Sequence, residues 1–329
     1  MIIHDDIQLI RKRIEEAQNI AVFCHTRPDG DSVGSVLAIG WALSDMGKKV
    51  QYVSLDPIPE RYQFLFRYCD DGKDPFVTAP VDPDCYILPD ISDPDRCGQY
   101  FLSRPELKPD IGIDHHVSNH GFCKLNWIES ESPAACCVLT ELFGLLGIKM
   151  TKRICSALLC GIITDTNSFT NCDVTALSLR TAANLVDQGA DMFNITHIAH
   201  KEHTVTEMAL WKLGMDNIHI EGGLIWSVFR KAEREAIGYF SDDDPGFVTY
   251  MVNTKGIAVS VLFIEISGNE TKISFRSLPG YDVAELAVSI GGGGHAAASG
   301  ATIHKGLEEA IPYVLGATRK MIAQSKARS

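Results

Sequence analysis

Residues Asn19–Ser32 read NIAVFCHTRPDGDS. The apolar run Asn19–Cys24 has the length and bulk of a strand buried on both faces, and turn-forming residues close it at once. From about Val33 to Met46 the pattern becomes helical, with Ser32 or Asp31 as the expected N-cap and Gly47 as the stop. A strand, a tight turn and a helix form the opening unit of a parallel α/β sheet. The turn itself carries His25, Asp29 and Asp31. Outside any helical or strand period it can aim all three into one cavity, and Gly30 lets the backbone fold tightly between the two carboxylates. Taken alone, the same residues also suit an Asp-rich helix cap beside a solvated histidine.

The unit repeats along the first half of the chain. Lys49–Leu55, Cys85–Leu88 and Ile111–Ile113 read as further strands, while Ser132-Pro133 opens a helix to about Leu146 and Lys152–Ile163 forms another. Asp173 is expected to cap a helix to Gln188 that stops at Gly189, and Asp191–Leu213 reads as one long helical junction. Beyond it the period changes: Leu224–Phe229, Ile257–Ile266 and Thr271–Leu278 alternate like strands, and Val283–Ile290 and Leu307–Ala323 read as helices. The fold class is therefore α/β: a parallel sheet with helices on both faces, then a smaller mixed α/β domain, with a cleft expected between them. The expected domains are 1–190 and 216–329, joined by a helical linker over 191–215. Asp242-Asp243-Asp244 reads as a solvated loop.

Bulk properties narrow the class. A hydrophobic share of 45% supports a sizeable core, and no apolar run approaches the ~18–20 residues that a membrane span needs. The N-terminus MIIHDDIQLIRKRIEEA puts acids before bases and reads as an amphipathic helix, so cytoplasmic residence is expected. Ten cysteines without a C-x-x-C pair, several inside apolar runs, read as buried thiols; Cys24 and Cys97, beside the candidate site, are candidates for oxidation. A net charge of −12 argues against a protein that tracks long duplex DNA. It does not bear on a short anionic ligand, because bound dications offset carboxylates locally.

Three later segments repeat the chemistry of the first turn. Asp90 ends the apolar run CYIL in CYILPDISDPDR, Asp114-His115-His116 closes the strand IGI, and Asp165 follows an apolar helix in GIITDTNSF. Most of these sit at the carboxyl ends of successive strands, the edge along which open parallel sheets bind ligands. His25, Asp29, Asp31, Asp90, His115 and Asp165 together have the donors to hold two divalent cations. Neighbouring residues at a strand end point to opposite faces, so one of His115 and His116 is expected to ligate while the other reaches a substrate. Near the C-terminus, SIGGGGHAAASG (Ser289–Gly300) places Gly292, Gly293, Gly294 and His295 in a glycine-rich loop whose N–H groups can approach an anion. It has neither the Gly-Lys-Ser/Thr ending of a P-loop nor a dinucleotide fingerprint. Arg276 in KISFRS has the planar fork of a phosphate clamp, although a lone strand arginine more often lies on the surface.

HTRPDGDS, DISDPDR, GIDHHVSNHGF, GIITDT and GGGGHAAASG, in this order over nearly the whole chain, resemble the DHH–DHHA1 phosphoesterase family, and within it the nanoRNase/pAp-phosphatase group. The resemblance implies two Mn²⁺ ions, with Mg²⁺ or Co²⁺ as substitutes. His25, Asp29 and Asp90 would hold one; Asp31, Asp90, His115 and Asp165 the other, with Asp90 bridging. It implies that His116 contacts the scissile phosphate and that Arg96, Arg276 and His295 surround the substrate. Pro89 and Asn167 depart from the family pattern, which usually has an apolar strand residue and a glycine at these places.

The expected activity is metal-dependent hydrolysis of short 5′-phosphorylated oligoribonucleotides such as pApA, and of 3′-phosphoadenosine 5′-phosphate. Asp31, Asp90 and His116 are the expected catalytic residues, with His116 assisting the leaving oxygen. Rivals are other hydrolases of the family (cyclic-dinucleotide phosphodiesterase, exopolyphosphatase, single-strand exonuclease) or a non-catalytic nucleotide-binding protein. A homodimer is the expected assembly.

Overall fold

The computed structural model describes the backbone of residues 3–171 and 174–328 and the side chains of 6–171, 174–294 and 296–325. Its contacts divide the chain into two compact units, Met1–Glu202 and His203–Ser329.

The first unit runs α1 (Ile3–Glu16), β1 (Asn19–Phe23), α2 (Gly30–Asp45), β2 (Lys49–Val53), a 3₁₀ segment (Glu60–Tyr68), β3 (Phe76–Val77) and β4 (Cys85–Pro89). A 3₁₀ turn (Pro94–Cys97), α3 (Gln99–Leu102), β5 (Ile111–Asp114), β6 (Leu125–Ile128), α4 (Ala135–Leu146), α5 (Lys152–Asp165), α6 (Ala176–Asp187) and α7 (Met192–Thr196) follow. All six strands are parallel, in the order β3-β2-β1-β4-β5-β6. Strand alternation sorts the core: Ile20 and Val22 of β1 and Cys85 and Ile87 of β4 pack with α1, α2, α4 and α5. Ala21, Phe23 and Leu88 face a smaller cluster with Ile91, Cys97 and Phe101 on the other side. Helices thus cover both faces. The order reverses between β1 and β4, and a parallel sheet opens a crevice at such a switch point beyond its carboxyl ends.

Helix α2 is buried nearly all round, from Gly30 to Leu43. Its contact with α5 is close because small residues line it. A Cβ on Gly34 would overlap the Ala157 carbonyl, and one on Gly30 would overlap Thr164. Its cap is Asp29 rather than the expected Ser32 or Asp31: Asp29 Oδ1 accepts from the N–H groups of Asp31 and Ser32, at 3.0 Å each. Helix α6 is capped by Thr175 in a capping box with Ser178, and the expected cap Asp173 lies outside the described residues.

The single helix expected over 191–213 is interrupted. After α7 comes a wider turn over His197–Lys201, and Thr204 with Glu207 forms a capping box that starts α8 (Val205–Asp216).

The second unit continues with β7 (His219–Glu221), β8 (Leu224–Phe229), α9 (Lys231–Ala236), α10 (Phe247–Val252), β9 (Val259–Ser267) and β10 (Glu270–Ser277). It ends with α11 (Val283–Ser289), β11 (Gly293–His295), β12 (Ala298–Ile303) and α12 (Leu307–Arg328). Its sheet is mixed, in the order β11-β12-β10-β9-β8-β7, with β8 and β9 parallel and the other pairs antiparallel. Its two faces bury separate clusters, one around Val261, Phe263 and Phe275, the other around Phe229, Phe247 and Leu262.

The acidic triplet is a loop with Asp243 exposed, as expected, but its carboxylates are engaged. Asp242 accepts from the buried Arg234 at 2.8 Å, Asp243 from Lys272 at 3.2 Å, and Asp244 caps α10 through the N–H groups of Phe247 and Val248. An arginine this deep needs acceptors, and the triplet supplies one of them. Among the described residues no helix is long and apolar enough to cross a membrane.

Candidate metal centre

Three of the four acidic or histidine-bearing segments lie at the carboxyl ends of β1, β4 and β5, the fourth ends α5, and the first unit brings all six expected ligands together. His25 follows β1 and is 2% exposed. Its Nδ1 is 2.8 Å from the carbonyl of Thr26, to which it must donate, so Nε2 is the nitrogen left to ligate. That Nε2 is a buried nitrogen without a hydrogen-bond partner, 3.6 Å from Asp29 Oδ2 and 3.4 Å from Asp90 Oδ2. His115 is built the same way: Nδ1 lies 3.2 Å from the carbonyl of Ser132, and Nε2 lies 3.9, 3.5 and 3.3 Å from Asp31 Oδ2, Asp90 Oδ1 and Asp165 Oδ2.

These separations, 3.3 to 3.9 Å, lie at or beyond the outer limit of a hydrogen bond. Donors bound ~2.0–2.2 Å from one cation sit roughly 3 to 3.6 Å apart, which is the spacing of every pair here except His115–Asp31, at 3.9 Å. The six expected donors form two such groups, His25–Asp29–Asp90 and Asp31–His115–Asp165, and a third set, Asp90–Asp114–His115–His116, overlaps them. Asp90 turns Oδ2 to the first and Oδ1 to the second. The residues present therefore fit a pair of cations sharing one carboxylate.

Asp90 takes this position at a backbone cost. Its φ of 57° is in the left-handed region, which non-glycine residues rarely adopt, and its N–H is tied at 2.9 Å to the carbonyl of Ile113. Pro89 before it is the last residue of β4 and pairs with Ile113 of β5, whereas the ladder to β1 ends at Ile87. A proline is tolerated there because no β1 carbonyl needs its missing N–H. Asn167, the other departure, also has a left-handed φ of 48°, a conformation that asparagine accepts at less cost than most residues.

Asp31 lies in the first turn of α2 and does two jobs. Its Oδ2 and Oδ1 accept from the N–H groups of Ala135 and Cys136 at 2.6 and 3.0 Å, so a distant carboxylate caps α4, whose own Ala134 offers no side-chain cap. Asp165 is the last residue of α5, not a loop residue beyond it.

The electrostatics express the crowding. Burial and the neighbouring Asp90 push Asp31 up to about 7, and burial with Asp31 raises Asp165 well above the usual carboxylate range. Burial also opposes charge on Asp90 and on His25, but there their partners win. His115 and His25 hold Asp90 well below its ordinary value, and Asp29 and Asp90 raise His25 to about 10.

The expectation that His115 and His116 face opposite ways is corrected. The strand ends at Asp114, so its alternation does not extend to them. Their ring centroids are 4.5 Å apart, and His116 Nδ1 lies 3.7 Å from the same Asp90 Oδ1 that faces His115. His116 Nδ1 is bonded to the fully buried Asp114 at 2.8 Å. Sequence reasoning missed Asp114 and its neighbour Asn119 as site residues, although an acid that closes an apolar strand needs partners and the two histidines after it are an evident source.

Arg96 is half-buried in the 3₁₀ turn after β4, and its carbonyl accepts from the Thr26 N–H at 2.9 Å, which ties this turn to the His25 loop. Arg276, Gly292, Gly293, Gly294 and His295 belong to the second unit. Arg276 is half-buried on β10, bonded to the carbonyl of Phe275, and burial lowers its pKa from the ordinary guanidinium value. The glycine run is not an open anion loop throughout. The Gly292 N–H is bonded to Ala287 O at 2.8 Å, and Gly293 and Gly294 form β11 with His295, whose side chain lies outside those described. A Cβ at Gly294 would meet Ala298 O at 2.6 Å, so close strand packing asks for glycine there. Cys24 and Cys97 are buried, and burial drives both thiols far up, which makes them inert rather than oxidation-prone.

Comparison with known proteins agrees with this architecture. The DHH family N-terminal domain matches residues 19–162, and the DHHA1 domain matches residues 228–324. A bifunctional oligoribonuclease and PAP phosphatase of Thermus thermophilus is 31% identical over 93% of this chain and 91% of its own. Among solved structures, an exopolyphosphatase-related protein from Bacteroides fragilis shares the fold at a TM-score of 0.88 and 22% identity, covering 98% of both chains. RecJ of Thermus thermophilus, crystallised with Mn²⁺, superposes at a TM-score of 0.55 and 13% identity over 97% of this chain and 54% of its own. The chain belongs to the DHH family, with a DHHA1 domain as its second module. With that membership it is a phosphoric-ester hydrolase.

Proposed function

We propose that this enzyme hydrolyses short 5′-phosphorylated oligoribonucleotides such as pApA, and 3′-phosphoadenosine 5′-phosphate, with two Mn²⁺ ions. The observation that carries the reading is the Asp90 carboxylate set between two histidine–aspartate groups. His25, Asp29 and Asp90 would hold one ion; Asp31, Asp90, His115 and Asp165 the other. Oxygen donors with two imidazoles suit Mn²⁺, and Mg²⁺ or Co²⁺ would substitute. Bound there, the cations supply an acidified water and positive charge against the phosphoryl oxygens.

The chain's own residues do the rest. His25 and His115 keep their ligating nitrogens aimed by giving Nδ1–H to backbone carbonyls. His116, beside Asp90 and backed by Asp114, is placed to hydrogen-bond the scissile phosphate and to assist the leaving oxygen. Arg96, on a turn bonded to the His25 loop, adds positive charge near a substrate phosphate, and Arg276 and the Gly292–His295 segment are assigned to the nucleotide. The Thermus relative, which bears the name of an oligoribonuclease and PAP phosphatase and is 31% identical, supports the choice of substrate. The same reading places the enzyme in the cytoplasm, as a homodimer, acting on nucleotides rather than long duplex DNA.

The test is a panel of pAp, pApA, pyrophosphate, a cyclic dinucleotide and long single-stranded DNA, each with Mn²⁺ and with chelator. The expected result is Mn²⁺-dependent release of mononucleotide from pApA and of phosphate from pAp, with at least a hundredfold loss in Asp90→Ala. Metal-loaded protein that turns over neither would remove the substrate assignment. Turnover unchanged in Asp90→Ala would remove the site.

A further inference from the structure

Behind His116 lies a set of hydrogen bonds that ligation and phosphate contact do not use. Asp114 is fully buried and accepts three of them: from the N–H of His115 at 2.8 Å, from His116 Nδ1 at 2.8 Å, and from Asn119 Nδ2 at 2.7 Å. Asn119, 8% exposed, uses the same amide nitrogen to reach the carbonyl of Ile91 at 3.1 Å. Its Oδ1 accepts from the Gly121 N–H at 2.8 Å, and its own N–H is bonded to the carbonyl of His116 at 3.0 Å. Every polar atom of this side chain is engaged, and none of its partners is among the six expected metal ligands.

We infer that Asn119 is a positioning residue that acts through Asp114 on His116. Ile91 directly follows Asp90, so the amide links the loop bearing the shared carboxylate to the carboxylate that orients the imidazole. The Asp114 bond to Nδ1 sets the rotation of the ring, and Asn119 sets the rotation of Asp114. A carboxylate held through one oxygen alone, as Oδ1 is by the His115 N–H and His116, could pivot about that oxygen. Held through both oxygens, Oδ1 toward the His115 N–H and His116 and Oδ2 toward Asn119, it cannot do so without breaking one of these bonds. Positioned groups lose rate steeply with small displacements, so the cost of losing Asn119 should fall on turnover rather than on substrate binding.

This inference rests on the proposed phosphoester hydrolysis and on the role given there to His116, and a double-mutant cycle separates it from that reading. Wild type, Asn119→Ala, His116→Ala and the double variant are assayed on pApA with saturating Mn²⁺. Metal content and thermal midpoint are measured for each, and Asn119→Asp serves as a second, nearly isosteric variant that removes the amide donor. The expected result is a tenfold or greater fall in kcat for Asn119→Ala and Asn119→Asp, with KM within about threefold of wild type and Mn²⁺ content unchanged. In the His116→Ala background Asn119→Ala should cost less than a further twofold, because nothing is left to position.

Multiplicative losses in the double variant would overturn the inference while leaving the hydrolase reading intact. So would a loss in Asn119→Ala that follows loss of Mn²⁺, or full activity in both Asn119 variants. If wild type itself does not turn over pApA, or if His116→Ala is fully active, the underlying reading has failed instead.

Discussion

At the scale of single residues, the site is a set of charges that the fold holds closer than they would choose. Asp31 and Asp165 are both raised, chiefly by burial and then by neighbouring carboxylates. A carboxyl group whose folded pKa lies above its unfolded value of ~3.9 destabilises the fold once pH exceeds that value, and the penalty is complete above the folded pKa. Asp165→Asn removes one such group without changing its shape. Chelator-treated Asp165→Asn should therefore melt at a higher temperature than chelator-treated wild type at pH 8, and the difference should vanish below about pH 4, where both groups are neutral. With Mn²⁺ the order should reverse, because wild type gains more from binding than a variant lacking a ligand. Melting curves at four pH values, with and without chelator, check this. A variant no more stable than wild type at pH 8 without metal would show that Asp165 is not under this strain.

At the scale of elements, the pairing of α2 with α5 decides whether Asp29, Asp31 and Asp165 can meet. Gly161 in α5 faces Asp31: a Cβ there would come 2.5 Å from Asp31 Oδ1 and overlap Cys136 Sγ. Two effects compete in Gly161→Ala. Helix propensity favours alanine by ~1 kcal/mol, whereas overpacking a tight contact costs ~1–3 kcal/mol. Because Asp31 is pinned by the N–H groups of Ala135 and Cys136, it has little room to yield, and the substitution should destabilise by about 1–2 kcal/mol and weaken activity. Gly144→Ala in α4, where a Cβ meets nothing within 4 Å, is the control and should stabilise by up to ~1 kcal/mol. Denaturant titration distinguishes them; equal shifts in the two variants would contradict the packing argument.

These elements also show what the sequence made legible. The apolar runs ending at Cys24, Leu88 and Ile113 announced three central strands, because strands buried on both faces have to be apolar throughout. The half-polar Leu125–Ile128 was not found as an edge strand, since LNWI has neither a continuous nor an alternating pattern. The break before α8 was readable in Thr204 and Glu207 but was obscured by the sparse apolar spacing around it. The α4 cap was not readable at all, for Asp31 is more than a hundred residues away in the chain.

At the scale of the whole molecule, the strand order explains why four segments spread over 140 residues of sequence converge. Reversal of the strand order between the parallel neighbours β1 and β4 places His25 and Asp90 side by side, and β5 adds His115 and His116 at the neighbouring strand end. The sequence carried the ligand chemistry plainly, since few reasons other than a cation exist for so many acids and imidazoles to end apolar runs. The split into two groups came from the family resemblance alone, because it depends on where the left-handed backbone of Asp90 places the carboxylate, with Oδ2 toward His25 and Oδ1 toward His115. The central claim is that split. Anomalous diffraction from crystals soaked in Mn²⁺ tests it most directly. Two peaks are predicted, one among His25, Asp29 and Asp90, the other among Asp31, Asp90, His115 and Asp165, both within bonding distance of the Asp90 carboxylate. A single peak, or two peaks of which only one touches Asp90, would contradict the account.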